Sequence, residues 1–190
     1  MAIKDIPSQW NLRLALPDKD DPREITEAWD LVLDGPIEYV AQEYSFKGPI
    51  SVKVRGHWVK PEFYLEIGLE ALVEVPCSRC LEPVSVALND KFGYLYGLSN
   101  KNEEDTPDSG DQNYIKLPFM GALLDVTQQV WDSLILTLPA NVLCSEDCQG
   151  LCPVCGQNLN YGKCECRQDN MDPRLEIFRD MKTDIDKDQK

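Results

Sequence analysis

Eight cysteines carry the densest chemistry in this chain, and six of them fall within LCSEDCQGLCPVCGQNLNYGKCEC, Leu143 to Cys166. All eight form close pairs: Cys77 with Cys80, Cys144 with Cys148, Cys152 with Cys155, and Cys164 with Cys166. In a reducing compartment such pairs are more often metal ligands or catalytic thiols than disulfides. Zinc binds four thiolate sulfurs tetrahedrally at ~2.3 Å, so a tight turn within each pair aims two sulfurs at one point. Four pairs supply two closed sites, and the expectation is one or two structural zinc ions held by all eight cysteines. Tetrahedral thiolates accept iron as well, which colour or elemental analysis separates from zinc. Redox pairing is the competing reading, whereas cysteines acting as small buried hydrophobes would not come in four pairs.

Loop chemistry suggests which pairs share an ion. Cys152-Pro153-Val154-Cys155-Gly156 reads as a knuckle, because Pro153 fixes one dihedral and Gly156 admits the positive φ that turns backbone amides toward the sulfurs. Cys164-Glu165-Cys166 follows after GQNLNYG and Lys163, a stretch suited to a short turn or hairpin, so these four cysteines are expected to share one ion. Cys144 and Cys148 are then left to meet Cys77 and Cys80 across a long stretch of chain, a staple brought together by the fold.

Catalysis finds little support. The lone histidine, His57, precedes Trp58 in a strand-like run, so any proton shuttle would rest on one side chain. Dithiol redox chemistry needs a CxxC at a helix start with a depressed thiol pKa, whereas Cys77 and Cys80 lie between strands. A phosphate-cradling GxxxxGK loop does not occur. Sites that four sulfurs can close leave no open position for a catalytic zinc. The chain is therefore expected not to be an enzyme and to have no small-molecule substrate.

The elements that must position the cysteines are mostly strands. From Phe63 to Val75 the odd positions are apolar, while Glu62, Glu66, Glu70 and Glu74 mark the even side: one buried face and one wet one. A second alternation, Val84, Val86, Leu88, then Phe92, Tyr94, Tyr96, follows PCSRCLEP, so the Cys77–Cys80 knuckle is expected at the turn of a long hairpin. ISVKVRGHWV, with a turn near Lys60-Pro61, completes a three-stranded antiparallel meander. Leu123, Leu124, Val130, Trp131, Leu134, Ile135 and Leu138 recur at helical spacing from Met120 onward and stop at Pro139, predicting an amphipathic helix on the sheet. Asp172-Pro173 and Asp21-Pro22 each look like a cap with proline at the first helical position, predicting short helices, the former with Leu175, Phe178 and Met181 on one face. The fold class expected is α+β: an antiparallel β-sheet meander, open or barrel-like, a packed amphipathic helix, and a cysteine-rich zinc-knuckle segment near the C-terminus. It divides into a body over 1–142 with an acidic exposed loop at 99–113, a zinc module over 143–170, and a helix and tail over 171–190.

Charge bounds the partners. With 19 Lys plus Arg against 33 Asp plus Glu, the formal charge is −14. Such a chain repels a phosphate backbone and favours basic proteins. Eight thiolates add eight negative charges and two zinc ions return four, taking −14 to −18. Direct RNA contact would have to be local, and Lys163, Arg167, Tyr161 and Arg79 form the one small basic and aromatic group near the cysteines. The opening MAIKDIPSQW has neither a basic nor an apolar leader segment, so no membrane role is expected and the location expected is cytoplasmic.

The order of these features resembles the YceD-type family, bacterial proteins associated with accumulation of large-subunit ribosomal RNA. The matching residues are CSRCLEPV in a strand-rich middle, the acidic loop, a helix ending LILTLP, then CSEDCQGLCPVCGQNLN and a closing CxC before DPRLEIF, over roughly Trp29 to Met181. The resemblance implies a non-catalytic ribosome biogenesis factor whose partner is a large-subunit ribosomal protein or pre-ribosomal particle. The alternative is a zinc-knuckle protein that contacts ribosomal RNA directly.

Overall fold

Alternation is realised along the whole of Glu62–Pro76, which folds as one 15-residue strand with Phe63, Leu65, Ile67, Leu69, Val73 and Val75 buried on one face. The structure is a computed structural model and describes residues 6–98, 114–117 and 123–166. Among these residues, nine strands and a helix follow in order: β1 (Arg13–Ala15), β2 (Ile25–Leu31), β3 (Ile37–Tyr39), β4 (Gln42–Phe46), β5 (Ile50–Val59), β6 (Glu62–Pro76), β7 (Pro83–Leu98), β8 (Tyr114–Leu117), β9 (Leu123–Asp125) and α1 (Thr127–Thr137).

The long strand β6 is the axis of the main sheet. One edge pairs with β7 from Phe63↔Tyr96 to Pro76↔Pro83. The other edge is shared, β5 taking Glu62–Glu70 and β4 taking Val73 and Glu74. The expected meander of β5, β6 and β7 is present, extended by β2 beyond β5, by β3 beyond β4, and by β8 parallel to β7. Among the described residues the sheet does not close into a barrel: β2 and β8 each pair there with a single neighbour. Its apolar face is covered instead by α1 and by the two-stranded ribbon of β1 and β9.

Side chains on the helix explain the covering. Val130, Trp131, Leu134 and Ile135 are buried against the sheet. Trp131 meets Trp10 edge-on at 5.6 Å between ring centroids, and the Tyr94 hydroxyl lies 2.9 Å from Ser133 Oγ. Tyr44 donates its hydroxyl to the Pro139 carbonyl at 2.9 Å, fixing the chain where it leaves the helix.

Two helix expectations are corrected. Leu123–Asp125 is a strand against β1, with Leu124 opposite Leu14, and the helix begins only at Thr127. The Asp125 carboxylate accepts the Thr127 amide at 2.9 Å in a local turn that separates strand from helix. Asp21-Pro22 opens no helix, because the Asp21 carboxylate engages the amide and guanidinium of Arg23 and the chain enters β2. Ile25 and Trp29 then lie beside inward-facing residues of β5, a pattern of period two. The expected acidic loop at 99–113 and the helix after Asp172 lie outside the described residues.

Candidate metal centres

The hairpin of β6 and β7 ends in the first knuckle. Pairing runs out at Pro76↔Pro83, the Cys77 amide donates to Glu82 O at 2.8 Å, and the Leu81 amide donates to Cys77 O at 3.0 Å. The second knuckle repeats this pattern: the Cys152 amide donates to Gln157 O at 2.8 Å, and the Gly156 amide to Cys152 O at 2.9 Å. In both, the residue after the second cysteine is left-handed, Leu81 at φ 62° and Gly156 at φ 74°. The positive φ expected of Gly156 is there, and Leu81 adopts it without being glycine.

Each knuckle meets one further pair. The sulfur atoms of Cys77, Cys80, Cys144 and Cys148 lie within 4.8 Å of one another, and so do those of Cys152, Cys155, Cys164 and Cys166. This is the division that the loop chemistry suggests. Cys77 and Cys148 sulfurs are 3.8 Å apart and those of Cys80 and Cys144 are 3.6 Å apart. A tetrahedral ion with ~2.3 Å bonds to sulfur requires edges of ~3.8 Å, and these two distances are close to that edge. Both clusters offer four sulfurs, so the donor set fits a closed structural site.

Backbone amides are aimed at the sulfurs. Arg79 N and Cys144 N point at Cys77 Sγ at 3.5 and 3.4 Å, and Val154 N points at Cys152 Sγ at 3.4 Å. Burial opposes ionisation of Cys77, but the amides of Arg79, Cys80 and Cys144 outweigh it and hold the thiol down at about 6. The amides of Cys155 and Val154 likewise bring Cys152 down to about 6. Cys166, facing the Cys155 sulfur and partly shielded from water, is pushed up to about 12. Each cluster therefore sets thiols that ionise readily beside thiols held in the protonated form.

The first cluster is built into the body. Cys77, Cys80 and Cys148 are buried, with Val84 and Leu151 packed on them. Ser78 donates its amide to Val142 O at 2.7 Å and its hydroxyl oxygen accepts the Val142 amide at 3.2 Å. Arg79, expected among RNA-contacting residues, directs Nη1 to the carbonyls of Cys148 at 3.0 Å and Glu146 at 3.4 Å, while its own carbonyl accepts the Leu151 amide. Gly150 sits against it at φ 73°, where a Cβ would stand 3.1 Å from Arg79 O. The second cluster lies farther out, with Cys155 exposed.

The loop between Cys155 and Cys164 reaches back to the first knuckle. Asn158 and Tyr161 both direct side-chain donors to Glu82 Oε1, at 3.3 and 3.4 Å, and Asn160 donates to Cys148 Sγ at 3.4 Å. Tyr161 is nevertheless 80% exposed, and Lys163 is exposed two residues on, so these two residues of the expected RNA-contacting group share one surface loop. Arg167, the fourth, lies outside the described residues. Sequence reasoning missed Asn160 and Ser78, whose roles arise from contacts across the fold and leave no local signal. His57 sits in β5 with its ring against Tyr64 at 5.5 Å between centroids. Among the described residues no helix is long and apolar enough to cross a membrane.

Comparison with known proteins places this chain in a wider set. A family profile described as large ribosomal RNA subunit accumulation protein YceD matches residues 65–182. A chloroplastic YCED homolog 1 of Arabidopsis thaliana, named as a large ribosomal RNA subunit accumulation protein, is 24% identical over 153 residues, covering 69% of this chain and 48% of its own. The Zea mays protein of the same name is 24% identical over 186 residues, 84% of this chain and 62% of its own. An uncharacterized protein of Mycobacterium tuberculosis is 34% identical over 106 residues, 52% of this chain and 45% of its own. The chain thus spans roughly half the length of the curated relatives it matches. No solved structure matches it.

Proposed function

The chain belongs to the YceD family, whose profile covers well over half of it, and from that premise we propose that it is a non-catalytic ribosome biogenesis factor. It supports accumulation of large-subunit ribosomal RNA from the cytoplasm, by binding a basic large-subunit ribosomal protein or a pre-ribosomal particle that carries one. Family membership is the observation that carries this reading, and the formal charge of −14 supports the choice of partner. Ribosomal proteins are dense in Lys and Arg and bind RNA indiscriminately until placed. An acidic partner offers them charge complementarity at modest, salt-sensitive affinity.

In this reading all eight cysteines hold zinc, Cys77, Cys80, Cys144 and Cys148 one ion and Cys152, Cys155, Cys164 and Cys166 another, the sulfur spacing of each cluster supporting the assignment. Bound zinc contributes folding free energy to a segment with little core of its own. Ser78 and Arg79 seat that segment on the sheet, and the clustered amides stabilise the thiolates that the ions require.

The test is association of the zinc-loaded chain with purified basic large-subunit ribosomal proteins over a range of salt. A complex that weakens steeply between about 50 and 300 mM salt is expected, since the screening length shrinks over that range. A tight, salt-insensitive complex would remove the electrostatic reasoning. A second reading, direct contact of the zinc module with RNA, is favoured by the exposure of Tyr161 and Lys163 on one loop. It requires that Lys163→Glu with Arg167→Glu abolish RNA retention, a change that matters little to binding of a basic protein.

A further inference from the structure

We infer that Asn160 couples the two metal sites, so that an ion bound by the outer four cysteines raises the affinity of the inner four. This rests on the reading of both clusters as zinc sites. Asn160 belongs to the loop that an ion at the outer site closes, between Cys155 and Cys164. Its side chain is committed elsewhere: Nδ2 donates to Cys148 Sγ, an inner-site ligand, at 3.4 Å, and Oδ1 accepts the backbone amide of Gln149 at 2.7 Å. Both ends of the amide are thus spent on the dipeptide Cys148-Gln149. The orientation is fixed by those partners, because a flipped amide would set its oxygen against sulfur and its NH2 against an N–H.

The loop is held in place for this contact. The Asn160 amide donates to Asn158 Oδ1 at 3.0 Å, and Asn158 in turn reaches Glu82 in the first knuckle. The Leu159 amide donates to Gly150 O at 2.9 Å, and Leu151 forms an isolated antiparallel bridge with Asn158. A donor aimed at a metal-bound thiolate stabilises the charge on sulfur and orients the ligand, and loss of such an outer contact lowers metal affinity by about 10- to 100-fold. The contact is long, which points to the lower end of that range. With its own ion absent, the outer loop keeps its hydrogen bonds but loses the closure that an ion shared by Cys155 and Cys164 supplies, so Asn160 is less firmly ordered. An outer ion bears that ordering cost in advance, and linkage makes the effect reciprocal.

The experiment uses the full chain, stripped of metal under reducing conditions and titrated with zinc against a chromophoric chelator. Wild type and Asn160→Ala are each compared with and without Cys164→Ser and Cys166→Ser, and circular dichroism of the loaded proteins checks that the sheet is intact. Asn160→Ala is expected to keep two zinc per chain while lowering the overall two-ion constant about tenfold. In the Cys164→Ser, Cys166→Ser background the same change should leave inner-site affinity nearly unaltered. Asn160→Asp, which keeps the acceptor and turns a carboxylate toward Cys148, should lose more than alanine does. An unchanged two-ion constant in Asn160→Ala, or an equal loss in both backgrounds, would overturn the coupling while leaving the metal sites standing. Failure of wild type to take up zinc at all would overturn the zinc reading, and the coupling with it.

Discussion

Leu81 and Gly156 occupy the same position in two knuckles with the same hydrogen bonds, yet only one is a residue that adopts a left-handed backbone without strain. The left-handed region costs a side chain roughly 1–2 kcal/mol. Leu81 is 64% exposed, so little packing offsets that cost. Leu81→Gly is therefore expected to leave the zinc-loaded protein as stable as wild type or slightly more so, whereas Gly156→Ala should cost about 1 kcal/mol, as read by chemical denaturation. A second residue-scale prediction concerns protons. The Glu82 amide opposes it, but burial and the neighbouring cluster sulfurs push Cys80 up to about 12; Cys144 is also raised, mainly by its contact with Cys148, whereas Cys77 is held down at about 6. Metal takes only thiolates, so the loaded site binds fewer protons than the free one and affinity must rise with pH. At pH 7 an ion entering the inner site should displace protons from Cys80 and Cys144 into a weakly buffered indicator solution, and release of none would show that these thiols are not the ligands.

At the scale of elements, the meander was legible because its alternation is strict. Phe63 to Val75 puts every odd residue on the apolar face, and no competing period fits. Ile67 is fully buried at the middle of β6, and Ile67→Ala is expected to lower stability by about 2–5 kcal/mol in a denaturant titration. A change below 1 kcal/mol would mean that β6 is not the core strand. Elsewhere local signals misled. Asp21-Pro22 has the residues of a helix start, but Arg23 captures the Asp21 carboxylate and pairing with β5 takes the following residues. The hairpin of β3 and β4 turns through Val40 and Ala41, both at positive φ, where Asn-Gly would have announced it. Leu123 and Leu124 continue a helical spacing by coincidence, and only contact with β1 decides that they are strand.

The described residues form a sheet with a helix and a two-stranded ribbon on its apolar face and a cysteine-rich segment fastened to the hairpin of β6 and β7. The division of the cysteines into two clusters was legible from their spacing and from Gly156, since knuckle chemistry is local. The fastening was not: Ser78 to Val142, Arg79 to Cys148 and Asn160 to Cys148 join residues with no shared sequence pattern. The two clusters should consequently fail differently. Cys152→Ser is expected to expose only the outer segment to limited proteolysis, whereas Cys77→Ser should free the module from the body and open cleavage in the stretch between Pro139 and Cys144. Identical digestion patterns would mean that the inner cluster does not act as the staple.

Metal content per chain, measured by elemental analysis on protein purified without added metal or chelator and paired with thiol titration under denaturing conditions, tests the two closed sites most directly. Close to two zinc per chain is the expected result. Eight free thiols with no bound metal would contradict it.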